Sequence, residues 1–222
     1  MKRTFARPIK RVVVKLGSSQ IVDGKLRPKT RQLASLAKQI QKLGKRGIEV
    51  VLVSSGAIAL GMGELGEGKR PTVLADLQAR AAIGQAALMR LYGELFRKVG
   101  LKCAQVLLTW DDFDNRTRFT NARHTLEAIL KQGVVPIINE NDTTSTEEIK
   151  FGDNDKLSAL VASCLHADLL ILLSDVDGVY DQDKKFLIGE YDEITPAIQK
   201  VSMGTANLQV ARGGMKAKID AV

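Results

Sequence analysis

A lysine and small residues follow the first apolar run of the chain, a combination that suits an anion. Lys15 closes the run "VVVKL", and the residues "GSS" (17–19) come directly after it. Burying a lysine without a partner is costly, whereas at the end of a strand it can face a negative group. The run "IEVVLV" is followed by "SSGA" (54–57), whose backbone amides at a helix start would bind a carboxylate or phosphate. The alternatives are a lysine lying along the sheet edge and an ordinary serine cap.

The densest polar stretch is "NENDTTSTEEIKFGDNDKLSA", residues 139–159, with six carboxylates among its first 17 residues. The carboxylates can accept hydrogen bonds from an ammonium group, while the amides of Asn139 and Asn154 donate to carboxylates. An amino acid substrate needs both kinds of group. The spacing does not fit the EF-hand calcium template. Another kind of cation-binding loop and a solvated acidic loop remain open.

Two further stretches have the composition of phosphate-binding loops. "GMGELGEGK" (61–69) satisfies both the dinucleotide fingerprint and the start of a P-loop, but it does not leave a strand directly, and Arg70 stands where a P-loop needs serine or threonine. We therefore predict a glycine-rich surface loop there. "ARGGMKAK" (211–218) places two glycines before two lysines, which would let amides and positive charge meet a polyphosphate. His124 and His166 have no cysteine near them, so neither histidine-based catalysis nor zinc binding is expected.

Alternating strands and helices must position these residues. Helical spacing of apolar residues predicts helices near residues 33–43, 74–95 (with a bend near Gly84), 122–129 and 154–167. Strands are predicted for "KRVVVKL", "IEVVLV", "KCAQVLL", "VVPII" and "DLLILLS". Strands that are apolar on both faces indicate a parallel sheet covered on both sides, so the predicted fold class is α/β, a three-layer αβα sandwich with a mainly parallel sheet. Ligands of such folds bind beyond the carboxyl ends of the strands.

Composition narrows the functional classes. The 222 residues are 45% hydrophobic and 26% charged, which suits one sizeable globular domain. No apolar run is long enough to span a bilayer, and the basic N-terminus lacks the apolar stretch of a signal peptide. Cys103 and Cys164 stand apart, without the pattern of a disulfide scaffold, so the predicted compartment is the cytoplasm.

Positive charge is concentrated in the first fifty residues. These hold 14 lysines and arginines against 2 acidic residues, while the remainder hold 19 against 23. A basic half suits anionic partners such as nucleotides, phosphates or RNA. Much of it can equally be the solvated face of a helix over residues 27–47, and an aromatic content of only 5% argues against stacking surfaces for single-stranded RNA.

Five stretches resemble, in sequence and order, the motifs of the amino acid kinase family. They are "VVVKLGSS", "VSSGAIALG", "PIINENDTTSTEEIKFGDNDKLSALVA", "LLILLSDVDGVY" and "GGMKAK". The block within residues 139–159 is most similar to members that phosphorylate free glutamate. The resemblance implies ATP-dependent phosphorylation of the γ-carboxylate of L-glutamate to L-glutamyl 5-phosphate, the first step of L-proline biosynthesis, with Mg²⁺. It also implies feedback inhibition by proline and a homo-oligomer, either a dimer or a tetramer.

The resemblance also implies roles for individual residues, although it assigns no metal ligands. Lys15 and Lys218 match lysines that flank the transferred phosphoryl group, and Asp155 matches the carboxylate that holds these lysines in place. The positions that match the amino acid site are Ser55, Gly56, Ala57, Asn139, Asp142 and Asn154. The positions that match the nucleotide site are Lys15, Ser174, Asp175, Arg212, Gly213, Gly214, Met215, Lys216, Ala217 and Lys218.

The resemblance predicts a basic tail over residues 1–9 and a kinase domain over residues 10–222. It also predicts that the domain continues beyond Val222, and that the RNA-modification-type PUA domain of many members is not part of this chain. Arg212 stands where the family has a small, threonine-like residue. Without a PUA domain no nucleic acid partner is expected. Two alternatives remain open: a kinase acting on acetylglutamate, aspartate or UMP, and a non-catalytic RNA-binding or regulatory protein.

Overall fold

A computed structural model describes residue 5 and residues 7–144, 154–175, 178–180 and 187–189. Five strands form the central sheet: β1 Arg11–Leu16, β2 Glu49–Ser54, β3 Cys103–Leu108, β4 Val135–Glu140 and β5 Leu169–Leu173. All are parallel, in the spatial order β3-β4-β2-β1-β5. The five strands predicted from the sequence are thus confirmed. A separate antiparallel pair joins β6 (Val179–Tyr180) to β7 (Leu187–Ile188).

Helices cover both faces of the sheet. Within the described residues they are α1 Ser18–Ile21, α2 Thr30–Gly44, α3 Ala57–Glu64, α4 Leu74–Arg97, α5 Asp111–Asp114, α6 Arg116–Lys131 and α7 Asp155–Cys164. Strands run the other way from the helices that follow them, so each helix start lies near the carboxyl edge of the sheet. None of these helices is both long and apolar enough to cross a membrane.

The alternating sides of β1 divide the core in two. Val12, Val14 and Leu16 face one cluster with side chains of α2 and α4, whereas Val13 faces a second cluster with side chains of α6 and α7. Because side chains alternate along a strand, both faces of β1 must be apolar to be buried. This arrangement confirms the predicted three-layer αβα sandwich.

Helix α2 carries much of the positive charge of the first fifty residues. Its apolar positions Leu33, Ala37 and Ile40 are buried against the sheet. Arg31, Lys38 and Lys42 are exposed on the same helix. The amphipathic pattern therefore gives a solvated basic face, as one of the two sequence interpretations predicted.

Helices α3 and α4 cross with their backbones in direct contact, because glycines occupy the crossing. A Cβ atom on Gly61 would lie 2.0 Å from the carbonyl oxygen of Arg80, and one on Gly84 would lie 1.8 Å from that of Ala57. Any side chain at either position would force the helices apart. Helix α4 continues without interruption from Leu74 to Arg97, and Gly84 has a packing role in it; the bend near Gly84 stays a prediction.

The prediction of a loop over residues 61–69 is wrong for its first part. Residues 61–64 form the last turn of α3, because Gly61 is buried in the crossing with α4. The run therefore ends a helix and does not link a strand to a helix start. That context excludes both phosphate-binding patterns, as the sequence argument expected, and Lys69 is exposed beyond the helix.

Candidate active site

A buried ion pair lies at the carboxyl end of the central strand. Lys15 shares a side of β1 with Val13 and therefore faces α7. Its Nζ lies 2.5 Å from Oδ1 of Asp155, and the two side chains are only 5% and 0% exposed. Asp155 is the first residue of α7, where a negative charge is favoured by the helix dipole. The alternation of side chains along β1 and the start of α7 thus bring Lys15 and Asp155 together, a pairing that the sequence only suggested.

Gly17 leads from β1 into the single turn of α1. Its backbone is extended, and the backbone N–H of Gln20 donates to the Gly17 carbonyl oxygen at 2.9 Å. A Cβ atom on Gly17 would lie 3.9 Å from Lys15 Nζ, an ordinary contact distance. Gly17 therefore lies beside the buried ammonium group, although steric contact alone does not demand glycine there.

The end of β2 lies beside that of β1, because Ser54 is paired with Leu16 in the register. The amide of Ser55 donates to Leu16 O at 2.9 Å. The prediction that Ser55 offers a free amide is therefore wrong: this amide extends the sheet by one bond. Gly56 adopts φ +103°, a left-handed conformation that favours glycine, and α3 then begins at Ala57. Since the first bond of α3 runs from Leu60 N to Gly56 O, the amide of Ala57 precedes the bonded turns.

Asn139 and Asn154 form a buried amide pair whose orientation is determined by backbone groups. Oδ1 of Asn139 accepts from the backbone N–H of Glu140 at 2.9 Å and from Nδ2 of Asn154 at 2.8 Å. Nδ2 of Asn154 also donates to Ser54 O at 3.1 Å. An N–H cannot accept and a carbonyl cannot donate, so neither side chain can be reversed without losing these bonds.

The same bonds correct the expected role of the two asparagines. Both N–H groups of Asn154 are used by Ser54 O and Asn139, so this side chain has no N–H left for a carboxylate. What it can offer a ligand is its Oδ1, an acceptor. One N–H of Asn139 is likewise used, because Nδ2 donates to Gln85 Oε1 at 2.9 Å. Asn154 therefore favours a ligand group that donates hydrogen bonds, such as an ammonium, whereas Asn139 keeps one N–H that can donate.

Tyr92 supports this network from α4. Its hydroxyl lies 2.9 Å from Ser54 Oγ, and Ser54 Oγ in turn donates to Ser55 O at 3.1 Å. Because serine has a single hydroxyl hydrogen, Tyr92 is the donor in this pair. Complete burial raises the pKa of the Tyr92 phenol well above its usual value, so this group stays neutral. A neutral, fully packed tyrosine thus holds the end of β2 in place.

Asp142 lines a cavity of about 330 Å³ beyond the end of β4. Helix α4 and β3 provide the other walls, and Gln85, one of the lining residues, also bonds to Asn139 of the asparagine pair. The lining combines carboxylate and amide groups with small apolar surface: Ala81, Ala82, Gln85, Ala86, Gln105, Leu107, Glu140, Asn141, Asp142 and Thr143. The cavity has the size and the mixed polarity that a small amino acid requires.

The candidate nucleotide residues are described only in part. Ser174 and Asp175 follow β5, and Ser174 Oγ donates to Asp175 Oδ1 at 3.4 Å. Ser174 also lines a second cavity of about 200 Å³ with Leu16, Leu173 and Gln20. Residues 212–218, including Lys218, lie outside the described residues. Within the described part of the chain, no three His, Cys, Asp or Glu side chains are grouped so that they could hold a metal ion together.

Sequence reasoning missed Gln85, Tyr92 and Ser54, which complete the network from α4 and β2. Gln85 was visible as one polar residue among small apolar ones in "AAIGQAAL", at the middle of a helix. Tyr92 follows it seven residues later, two helical turns along the same face. A polar side chain at a buried helical position is the signal that would have indicated them.

Comparison with known proteins identifies the family to which this chain belongs. The model of the amino acid kinase family matches residues 10–222. The chain belongs to the amino acid kinase family. The buried ion pair and the asparagine pair are therefore features of an amino acid kinase domain, at the carboxyl edge of its sheet.

Individual members of the amino acid kinase family are similar over nearly all of the chain. It is 46% identical over 216 residues to glutamate 5-kinase 2 of Bacillus licheniformis, an alignment covering 95% of this chain and 58% of that protein. Identity is 44% to the glutamate 5-kinase of Citrifermentans bemidjiense and 47% to that of Syntrophotalea carbinolica, each covering 100% of this chain and 60% of the relative. The chain thus spans about three fifths of the length of the curated relatives it matches.

Proposed function

We propose that this protein transfers the γ-phosphoryl group of ATP to the γ-carboxylate of L-glutamate, giving L-glutamyl 5-phosphate for proline biosynthesis. The observation that carries the proposal is the buried Lys15–Asp155 pair beside the Asn139–Asn154 pair, in a chain similar to glutamate 5-kinases. The first pair supplies a positive charge for phosphate oxygens. The second supplies an acceptor for an ammonium group.

The chemistry needs no general base. A glutamate side chain with a pKa of about 4.3 is already ionised at neutral pH and can attack phosphorus directly. Phosphoryl transfer then depends on alignment and on neutralising the charge on the equatorial oxygens. Lys15 serves that purpose because Asp155 holds its ammonium group in one position. In the proposal, Lys218 provides the second cation, as the resemblance to the family implies.

Recognition of free glutamate rests on groups around its amino acid moiety. The α-ammonium distinguishes glutamate from acetylglutamate, and its hydrogen bonds need acceptors. Asn154 Oδ1 and the Asp142 carboxylate are the acceptors that we assign to it, the latter from its place in the 330 Å³ cavity. Ser55, Gly56 and Ala57 are assigned to the same amino acid site at the start of α3.

The nucleotide and its metal complete the proposal. Ser174 and Asp175, at the end of β5, are assigned to ATP together with Arg212, Gly213, Gly214, Met215, Lys216, Ala217 and Lys218. Magnesium accompanies ATP in the proposal, because this ion dehydrates reluctantly and is usually held by phosphates with few protein ligands. Membership of the family also supports inhibition by proline, assembly as a dimer or tetramer, and action in the cytoplasm.

A panel of acceptors tests the function. The purified protein is incubated with MgATP and hydroxylamine, and hydroxamate is measured with glutamate, aspartate, acetylglutamate or no acceptor. ADP release is measured with UMP, which forms no hydroxamate. The proposal predicts hydroxamate with glutamate and at least about tenfold less with acetylglutamate, since losing one charged hydrogen bond costs about 1.5–3 kcal/mol. Aspartate should also give less, because its shorter side chain places the carboxylate away from the phosphoryl group. A preference for another acceptor would replace the assignment, and RNA binding without turnover would favour the non-catalytic alternative.

A further inference from the structure

Gln85 is the one polar contact that links α4 to the side chain of Asn139 within the described residues. Its Oε1 accepts from Asn139 Nδ2 at 2.9 Å, across 54 positions of sequence. On its other side, Gln85 Nε2 donates to Gln105 Oε1 on β3 at 3.3 Å. The amide of Gln85 thus lies between two amides, with its oxygen towards the candidate active site.

This contact restrains the Asn139 side chain, whose amide group has two orientations of equal shape. Turning the Asn139 amide by half a rotation exchanges its oxygen and nitrogen without changing the space it fills. The reversed orientation would direct an N–H towards the backbone N–H of Glu140 and towards Nδ2 of Asn154. It would also direct Asn139 Oδ1 towards Gln85 Oε1. Gln85 therefore opposes the reversed orientation from the side opposite to Glu140.

The orientation of Asn139 reinforces that of Asn154, which Ser54 O also restrains. An Asn139 oxygen at this place requires Asn154 to donate, which directs both N–H groups of Asn154 into the protein. Asn154 Oδ1 is then the atom offered to a ligand. If Asn139 reversed, Asn154 would face an N–H and lose one of its two acceptors, so only Ser54 O would still restrain its orientation.

We propose that Gln85 is a positioning residue for the amino acid substrate, acting through Asn139 to keep Asn154 in the orientation that accepts a hydrogen bond from an ammonium group. The inference rests on the proposed function. Gln85 acts by accepting a hydrogen bond from Asn139, so the acceptor atom is what matters and not the amide as such. Its effect falls on the KM for the amino acid and not on the steps that involve ATP.

Two substitutions at one position separate this role from general packing. Gln85→Met keeps the length of the side chain but removes the acceptor, whereas Gln85→Glu keeps an acceptor facing Asn139. We expect Gln85→Met to raise the KM for glutamate by about 2- to 12-fold, the fold-change of one lost hydrogen bond. Gln85→Glu should raise the KM for glutamate by less than Gln85→Met does, because it keeps the acceptor that faces Asn139. The KM for ATP and kcat should change little in both variants, because a general loss of structure would affect every constant.

Gln132→Met is the matched control, since Gln132 is exposed at the end of α6, before β4 begins, and so at the opposite edge of the sheet. It should leave all constants at their wild-type values. A wild-type KM in Gln85→Met, or equal damage in Gln85→Met and Gln85→Glu, would overturn the positioning role while the proposed function stands. Wild-type protein with no glutamate-dependent hydroxamate would overturn both.

Discussion

At the scale of single residues, the Lys15–Asp155 pair is costly to form and is justified by chemistry more than by stability. Removing two charges from water costs several kcal/mol per ion, which mutual attraction repays only in good geometry. The pair is almost completely buried at a separation of 2.5 Å, at the end of a strand whose other buried residues are valine and leucine. An apolar pair of similar size would suit that core equally well. In the proposed function, the pair provides the cation that a phosphoryl group needs there.

This account predicts that stability and activity separate at the ion pair. Asp155→Asn removes the buried carboxylate that lies 2.5 Å from the Lys15 ammonium group and should cost about 3–5 kcal/mol of unfolding free energy. Lys15→Met in turn removes the ammonium group that faces the buried Asp155 carboxylate, and it should be destabilising for the same reason. The double variant Lys15→Met/Asp155→Leu removes both charges and should recover much of the stability, but no turnover. Urea unfolding and hydroxamate formation measure the two properties, and additive losses in the double variant would contradict the prediction.

Asp142 is predicted to contribute to glutamate affinity through its charge. Asp142→Asn keeps the size of the side chain but can present an N–H towards the substrate ammonium. Glutamate affinity should fall by about 10- to 150-fold, from the free energy of a charged hydrogen bond, while ATP affinity stays near wild type. Calorimetry with each ligand measures both constants. Glu94→Gln, at an exposed position on α4, is the control for loss of one charge; unchanged glutamate affinity in Asp142→Asn would remove Asp142 from the site.

At the scale of elements, the glycine crossing of α3 and α4 determines the position of the helix start that we assign to the amino acid site. Gly61 and Gly84 bring the two backbones together, and α3 starts directly after Gly56 at the end of β2. Helix α4 carries Gln85 and Tyr92 towards the same place. Hydrogen bonds therefore connect the closely packed helices to Ser54 and Asn139, and through Asn139 to Asn154.

Gly84→Ala should be strongly destabilising. The new methyl group would lie 1.8 Å from Ala57 O and 2.4 Å from Gly61 N, both backbone atoms that cannot rotate away. We expect a loss of about 1–3 kcal/mol or more, as for overpacked cores. Gly93→Ala on the same helix is the control: a Cβ there has no neighbour within 4 Å, so helix propensity should make it neutral or stabilising by up to about 1 kcal/mol. Equal unfolding free energies for the two variants would refute the packing argument.

A pH-dependent contact joins the starts of β1 and β5. The carboxylate of Asp168 accepts from the backbone N–H groups of Lys10 and Arg11 at 2.7 and 2.8 Å. The hydrogen bond from Arg11, then that from Lys10, lowers the pKa of the Asp168 carboxyl. A lowered folded-state pKa stabilises the protein above the unfolded-state pKa of about 3.9, and this stabilisation is lost as pH falls through the folded value.

Asp168→Asn should therefore lower the melting temperature at pH 7, and its difference from wild type should shrink as pH falls below about 4, the unfolded-state pKa of aspartate. Thermal unfolding followed from pH 7 to pH 3 measures this difference. Asp114→Asn, at an exposed aspartate on α5, is the control and should show no such trend. A difference that stays constant with pH would show that the charge of Asp168 plays no part.

The elements were predictable where one signal dominates locally. Continuous apolar runs identified β1, β2, β3, β4 and β5, and alternation with helices indicated the parallel sandwich. The crossing at Gly61 was not predictable, because its partner Gly84 lies on another helix and glycine in a polar run resembles a loop. The asparagine orientation also depends on long-range bonds, one of which joins residues 54 positions apart. Sequence patterns indicate which residues meet at the edge but not which atoms they present.

At the scale of the whole molecule, the parallel topology brings distant segments to one edge. The strand order places β1 between β2 and β5, so the ends that carry Lys15, Ser54 and Ser174 are neighbours. Strand β4 and the start of α7 add Asn139, Asn154 and Asp155 at the same edge. The groups that we assign to phosphate and to the amino acid thus meet at one edge of the sheet, as the proposed attack by the γ-carboxylate requires.

Isotope transfer tests the central claim, attack by the γ-carboxylate on the γ-phosphorus of ATP, most directly. Glutamate labelled with ¹⁸O in both γ-carboxylate oxygens is incubated with the protein, MgATP and hydroxylamine, and the released phosphate is analysed by mass spectrometry. Attack by the carboxylate makes its oxygen the bridge to phosphorus. Hydroxylamine then breaks the bond between that oxygen and the acyl carbon, so each phosphate should carry one ¹⁸O atom. Unlabelled phosphate would mean that water or another group had attacked ATP, and it would contradict the account.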